Sequence, residues 1–268
     1  MSIEIAQHKL TEYRQKLDDH IAQYVAQEAE RTARQYGELG AALTSPFAAL
    51  LQNGGKRLRG ALTMHAYAMF GGTDDQLVVR AARIVEMIHT YLLIVDDIAD
   101  QSALRRGQPS AYRAIADFHQ AQKLHGSSQH YGESQAVNSA LAGLHKALAD
   151  LGTLPIDDTR KLEAMNSLNE AIGMTVQGQV FDLYYQAQQD ASESAVRDTL
   201  TLKTAYYSFL QPLEFGAILA GADTSEHSWL SNFARHIGLS FQITDDILGT
   251  FGTEFDSGKS ALDDLREG

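Results

Sequence analysis

The sequence predicts an all-α protein, on three observations. Alanine, leucine and glutamine dominate the 268 residues, proline occurs only 4 times, and alternating strand-like runs are hard to find. A chain of this length can bury one large core, and nothing in it resembles a linker between halves, so it reads as a single domain over 1–268.

Leu10, Tyr13, Leu17, Ile21 and Tyr24 recur at steps of three and four, which predicts an amphipathic first helix. In "TSPFAALLQNGG", Ser45 stands as an N-cap, Pro46 at the first helical position and glycines at the end, which brackets one short helix. Lys56, Arg57 and Arg59 follow at once. From Ala81 to Asp100 the apolar residues wrap most of a helix: Ile84, Val85, Met87, Ile88, Leu92, Leu93, Ile94 and Val95. That places it in the middle of a bundle. The stretch "QKLHGSSQHYGES" reads as a loop, and "GTLPIDD" and "GADTSEH" read as turns between helices. A second apolar helical run, "HIGLSFQITDDIL", again ends in aspartates. There is no repeat and no low-complexity tract.

Without cysteine the chain has neither a disulfide frame nor a thiolate metal site, and its composition suits a reducing cytoplasm. A net charge of -12 works against binding nucleic acid or an anionic membrane through a global field. No segment reaches the roughly 20 apolar residues of a membrane span, and "MSIEIAQHKLTEYRQ" lacks the pattern of a signal peptide. The reading is a soluble protein in which an anionic ligand meets a local basic cluster.

In a helix, Asp96 and Asp100 share one face with about 6 Å between their Cβ atoms, while Asp97 points to the side. Carboxylates at a buried helix C-terminus are costly without a counterion. Asp245 and Asp246 follow "GLSFQIT" as Asp96 and Asp97 follow "TYLLIV". Two helices delivering carboxylates to one end of a bundle make an all-oxygen site suited to Mg²⁺, which keeps waters and binds substrate phosphates. The cations come in tight groups: Lys56 and Arg59, Arg105 and Arg106, Lys203, and Lys259. Taken singly, each of these charges is also accounted for by a solvated surface. Together they ask for a diphosphate, which arginine forks match two oxygens at a time.

"GGKRLRGAL", "HTYLLIVDDIADQSALRRGQPS", "LKTA" and "GLSFQITDDILGTFG…GKSALDDL" resemble, in order and spacing, the signature segments of the trans-polyprenyl diphosphate synthases. The resemblance implies the family's isoprenoid synthase helical bundle with a central cavity, usually as a homodimer. It implies condensation of isopentenyl diphosphate with an allylic diphosphate, with about three Mg²⁺ ions assisting. Carried over, Asp96 and Asp100 hold Mg²⁺ with Asp97 alongside, and Asp245 holds the third ion. Arg105, Lys203 and Lys259 bind the allylic diphosphate, and Lys56, Arg59, His89 and Arg106 bind isopentenyl diphosphate. Thr204 and Gln242 face the developing cation. Tyr91, an aromatic about a turn and a half before Asp96, is the expected floor of the cavity. An aromatic at this position together with the uninterrupted DDxxD resembles synthases of geranylgeranyl diphosphate, which is the product the resemblance implies, with farnesyl diphosphate next. His89 also reads as an ordinary core histidine, and His119, His125 and His130 are given no role.

The sequence departs from the family pattern at Gly249, where a third aspartate is usual. It departs also in a longer segment from Pro109 to Tyr131, and near Ala140 and Leu141, where altered packing or subunit contacts are expected. The chain ends at "DDLREG", in mid-pattern, so the C-terminal part of the domain is expected to be missing. A non-catalytic regulatory or partner subunit is the alternative function. A terpene cyclase would have no use for Lys56, Arg59 and Arg106.

Overall fold

The structure is a computed structural model describing residues 3–53, 55–189, 192–223 and 228–251, with the side chains of 245, 246 and 248–251 outside that description. It is all-α apart from one small hairpin. The helices are α1 (Ile3–Gln52), α2 (Leu58–Met69), α3 (Asp75–Ala99), α4 (Ala111–Ala121), α5 (Ser128–Gly152), α6 (Asp158–Gln188) and α7 (Glu193–Leu200), then a π-helix (Thr201–Leu210), α8 (Gln211–Ala220) and α9 (Ser228–Phe251). Strands β1 (Leu104–Arg105) and β2 (Gln108–Pro109) pair antiparallel. The chain forms two compact units, residues 1–61 with 79–154, and residues 62–78 with 155–268.

In the first unit, Tyr13, Leu17 and Ile21 of the expected stripe are buried, while Leu10 stays 42% exposed. The short helix expected to start at Ser45 is instead the end of α1, which breaks once at Gly37 (φ 72°) and then runs through Pro46. Proline has no N–H to give the carbonyl of Ala42, four residues back. The Ser45 hydroxyl donates to that carbonyl instead, at 2.8 Å. The residue read as a cap is a substitute donor inside a helix.

The first half of α3 is buried all round, including Ile84, Val85, Met87 and Ile88, whereas Leu92, Leu93 and Val95 are only partly covered. The expected loop over 122–134 shrinks to 122–127. Ser127 caps α5 by accepting from the backbone N–H of His130, at 3.3 Å. Ala136, Ala140 and Ala147 of α5 are fully buried, and Gly132 lets the helix lie close along α4, since a side chain there would run into the Tyr112 carbonyl oxygen. Leu141 beside them is 41% exposed.

In the second unit the π-helix packs between α6 and α9. A side chain on Gly178 of α6 would stand 2.6 Å from the Lys203 nitrogen, and one on Gly238 of α9 would stand 2.5 Å from the Ala205 Cα. Glycine at both places lets three backbones meet. Phe209 and Phe241 close the same interface edge to face, with ring centroids 5.5 Å apart. The turn at 152–158 is as expected, with Asp157 capping α6 by accepting from the N–H of Arg160, at 3.0 Å. Among the described residues no helix is long and apolar enough to cross a membrane.

Candidate functional site

The site in the first unit is built at the C-terminal end of α3. Asp100 still donates its N–H to the Asp96 carbonyl (2.9 Å), so the two carboxylates stand one helical turn apart as the spacing predicts. Gln101 then turns left-handed (φ 54°), and the Ser102 N–H closes on the Asp97 carbonyl at 2.9 Å. That geometry ends the helix and sends the chain back through the hairpin.

The hairpin turn is Arg106–Gly107, with positive φ at both residues, 55° and 72°. This is the backbone of a two-residue I′ turn, which matches the twist of the strands it joins. It sends two adjacent arginines to different partners. Arg105 donates from Nε to Asp97 Oδ1 (2.6 Å) and from NH2 to Asp96 Oδ2 (3.2 Å). Asp97 is fully buried. It therefore turns inward and holds Arg105, while Asp96 keeps 22% of its side-chain surface. Burial works to lower the Arg105 pKa, and Asp97, Asp96 and Asp100 together outweigh it, so the group is raised and stays charged.

Arg106 donates to the carbonyls of Asn53 (3.0 Å) and Leu50 (3.4 Å) at the end of α1. Burial, followed by the neighbouring Arg57, lowers its pKa. Arg57 (φ 53°) is 3% exposed and reaches the carbonyls of Leu51 (2.8 Å) and Gln52 (3.2 Å), Asp18 (2.8 Å) and Glu86 (3.3 Å). Two arginines thus take up the last carbonyls of α1, the negative end of that helix. Lys56 is exposed beside them.

Arg59 NH1 lies 3.2 Å from His89 Nε2. Arginine only donates, so Nε2 accepts and the ring proton sits on Nδ1. Burial first, then Arg59, Arg106, Arg105 and Arg57, push the His89 pKa well below its ordinary value. Tyr91 lies partly buried in α3.

Asp96 and Asp100 come together with Arg105, and Arg59 with His89. Among the described residues no three carboxylates or imidazoles gather into a metal cage. The Asp96 and Asp100 pair fits a hard ion that keeps waters and takes its remaining oxygens from substrate, as Mg²⁺ does, and does not fit one that needs a full protein cage.

In the second unit, Lys203 Nζ pairs with Asp182 at 2.7 Å, and Thr204 Oγ1 donates to Gln242 Oε1 at 2.9 Å. Asp245 lies in α9 with its side chain outside the described residues, and Lys259 lies outside them altogether. A cleft of about 390 Å³ between α6 and the π-helix–α8 segment is lined by Glu163, Glu170, Glu214 and Gln211. Burial and then Glu170 raise the Glu214 pKa. An acidic cleft repels a diphosphate.

Sequence reasoning missed Asp18, Glu86 and Asp182. Glu86 was findable as the lone acid in an apolar helical run, three residues before His89. Asp182 and Asp18 gave no signal, because their partners lie 21 and 39 residues away in sequence.

A family model described as polyprenyl synthetase matches residues 40–268. The geranylgeranyl diphosphate synthase of Sulfolobus acidocaldarius is 31% identical over 219 residues, covering 82% of this chain and 62% of that protein. The short chain isoprenyl diphosphate synthase of Methanocaldococcus jannaschii is 34% identical over 222 residues, covering 82% and 61%. The chain spans about three-fifths of the length of these curated relatives. Among solved structures, the geranylgeranyl pyrophosphate synthase of Corynebacterium glutamicum, complexed with isoprenyl diphosphate and magnesium, matches with a TM-score of 0.90. Its sequence is 27% identical, and the match covers 96% of this chain and 73% of that one.

Proposed function

The chain belongs to the polyprenyl synthetase family, and we propose on that footing that it is a Mg²⁺-dependent prenyltransferase which condenses isopentenyl diphosphate with an allylic diphosphate. The observation that carries this reading is the end of α3, where Asp96 and Asp100 stand one turn apart beside Arg105. The relatives of geranylgeranyl type, and the solved relative complexed with isoprenyl diphosphate and magnesium, support it.

In the reaction, the carbon–oxygen bond of the allylic diphosphate breaks and its electron pair leaves with the diphosphate. The alkene of isopentenyl diphosphate attacks the resulting cation, and loss of a proton gives a chain longer by one isoprene unit. Asp96 and Asp100, with Asp245 from the second motif, would hold Mg²⁺, which supplies charge stabilisation to the departing diphosphate. Arg105, Lys203 and Lys259 bind the allylic diphosphate; Asp97 and Asp182 orient the first two. Lys56, Arg59, Arg106 and His89 bind the isopentenyl diphosphate, with neutral His89 presenting its Nδ1 proton. Thr204 and Gln242 turn oxygen dipoles to the cation, and Thr204 fixes the amide by its hydrogen bond. Tyr91 limits the tail, giving geranylgeranyl diphosphate as the first product to look for and farnesyl diphosphate as the next.

A homodimer belongs to the same reading, supported by Val176, Val180, Leu183 and Tyr184, an apolar run on α6 that stays 38% to 58% exposed. A cytoplasmic setting fits the lack of cysteine.

The test is incubation with labelled isopentenyl diphosphate and each of the five-, ten- and fifteen-carbon allylic diphosphates, with and without Mg²⁺. A Mg²⁺-dependent twenty-carbon product is expected, and Tyr91→Ala is expected to lengthen it. No product from folded protein overturns the enzymatic reading, and an unchanged length in Tyr91→Ala overturns the role of that ring.

A further inference from the structure

Three basic residues crowd into the four positions 56–59, and on charge alone all three would turn to solvent. Only one is withdrawn. Arg57 is 3% exposed, while Lys56 is exposed and Arg59 lies against His89. The withdrawal costs backbone strain, because a non-glycine residue at φ 53° is sparsely populated. Such a conformation persists only where its surroundings over-determine it. Here they do: the guanidinium meets Asp18, Glu86 and two carbonyls at the end of α1.

Glu86 has a second task. Its Oε2 accepts from Arg57 (3.3 Å), and its Oε1 accepts the backbone N–H of Gly60 at 2.9 Å. Gly60 lies in the first turn of α2, where N–H groups have no partner within the helix. A carboxylate from α3, itself 3% exposed, thus caps α2 and anchors the residue just before it. One side chain fixes both ends of Arg57–Gly60, the segment that carries Arg59.

We infer that Glu86, assisted by Asp18, is a positioning residue for isopentenyl diphosphate. It holds Arg57 inward as a strut, so that Lys56 and Arg59 on either side stand ready for the diphosphate. The basic run is divided in function: Arg57 sets the segment and touches no substrate. This inference rests on the assignment of Lys56 and Arg59 to isopentenyl diphosphate made above.

The experiment measures KM and kcat for each substrate, with calorimetric binding of isopentenyl diphosphate in the presence of Mg²⁺ and without the allylic substrate, in Glu86→Gln. The amide keeps an acceptor for Gly60 and removes the charge facing Arg57. A rise of about tenfold in both KM and Kd for isopentenyl diphosphate is expected, equivalent to roughly 1.4 kcal/mol. The KM for the allylic substrate and kcat should stay within about twofold. Asp150→Asn is the control, because it weakens another buried pair of the same unit, Arg83–Asp150 at 2.9 Å, away from this segment. It should lower stability and leave both KM values alone. Should Glu86→Gln not fold, Asp18→Asn removes the charge of the more exposed partner and is expected to give a shift of the same sign, about threefold. Unchanged isopentenyl diphosphate binding in the folded variants, or an equal rise in Asp150→Asn, overturns the inference. Failure of the unsubstituted protein to bind isopentenyl diphosphate overturns the functional reading itself, and is told apart because it precedes any substitution.

Discussion

Arg57, Arg105 and Arg106 show how little a residue's neighbours in sequence say about its electrostatic state. Arg105 meets two aspartates, Arg57 meets an aspartate, a glutamate and two carbonyls, and Arg106 meets carbonyls alone. Removing Arg105 takes a charged partner from a fully buried carboxylate, so Arg105→Ala is expected to cost about 3 kcal/mol in urea unfolding. Arg59→Ala, at a partly exposed site, should cost less than about 1 kcal/mol and act on substrate binding instead. His89 gives a pH signature. Its pKa in the folded chain lies well below the ordinary 6.5, so on acidification the unfolded chain takes up the proton first. The stability that neutral His89 contributes is therefore complete above about pH 6.5 and is lost as pH falls below it. His89→Gln should flatten the acid limb of the stability profile relative to the unsubstituted protein, measured by urea unfolding across about pH 5 to 7.5. His20 is also lowered, by burial and then by Arg83, but it is present in both proteins and cancels in the difference.

At the scale of elements, the π-helix is the part most exposed to a single methyl group. Gly178→Ala would press a Cβ against the Lys203 backbone and is expected to destabilise by about 1–3 kcal/mol, with loss of turnover through displaced Lys203 and Thr204. Gly173→Ala, on the same helix with nothing within 4 Å, should be neutral or stabilising by up to about 1 kcal/mol. Thermal unfolding and activity of the pair separate contact from helix propensity. What the sequence made readable here was mostly periodic: the buried face of α1, the apolar α3 and the aspartate spacing. What it hid was non-periodic. Ser45 looks like a cap because its side-chain donation to Ala42 is invisible until Pro46 is seen inside a helix. The hairpin is six residues long, too short to alternate, and a π-helix leaves no mark in a 3.6-residue count. The candidate residues were readable as types and spacings, whereas their division into those that hold and those that are held required Asp18, Glu86 and Asp182 to come in from distant positions.

Over the whole molecule, a net charge of -12 opposes any diphosphate at long range, so under the proposed function local groups and metal reverse the sign. Chelation with EDTA is accordingly expected to lower prenyl transfer by about a thousandfold or more, with recovery on adding Mg²⁺. Activity that survives chelation would remove the metal from the scheme. The charged groups around the proposed site in the first unit carry this further. Lys56, Arg57, Arg59, Arg105 and Arg106 are matched in number by Asp18, Glu86, Asp96, Asp97 and Asp100, so without metal the constellation is formally electroneutral. Its arginines supply direction and little net attraction. Free diphosphate and free Mg²⁺ should each bind weakly, and each should raise the affinity for the other by the same factor, a reciprocity that thermodynamic linkage requires. Under the proposed function, a site neutral in itself would behave as a coincidence detector, responding to an anion and a cation that arrive together.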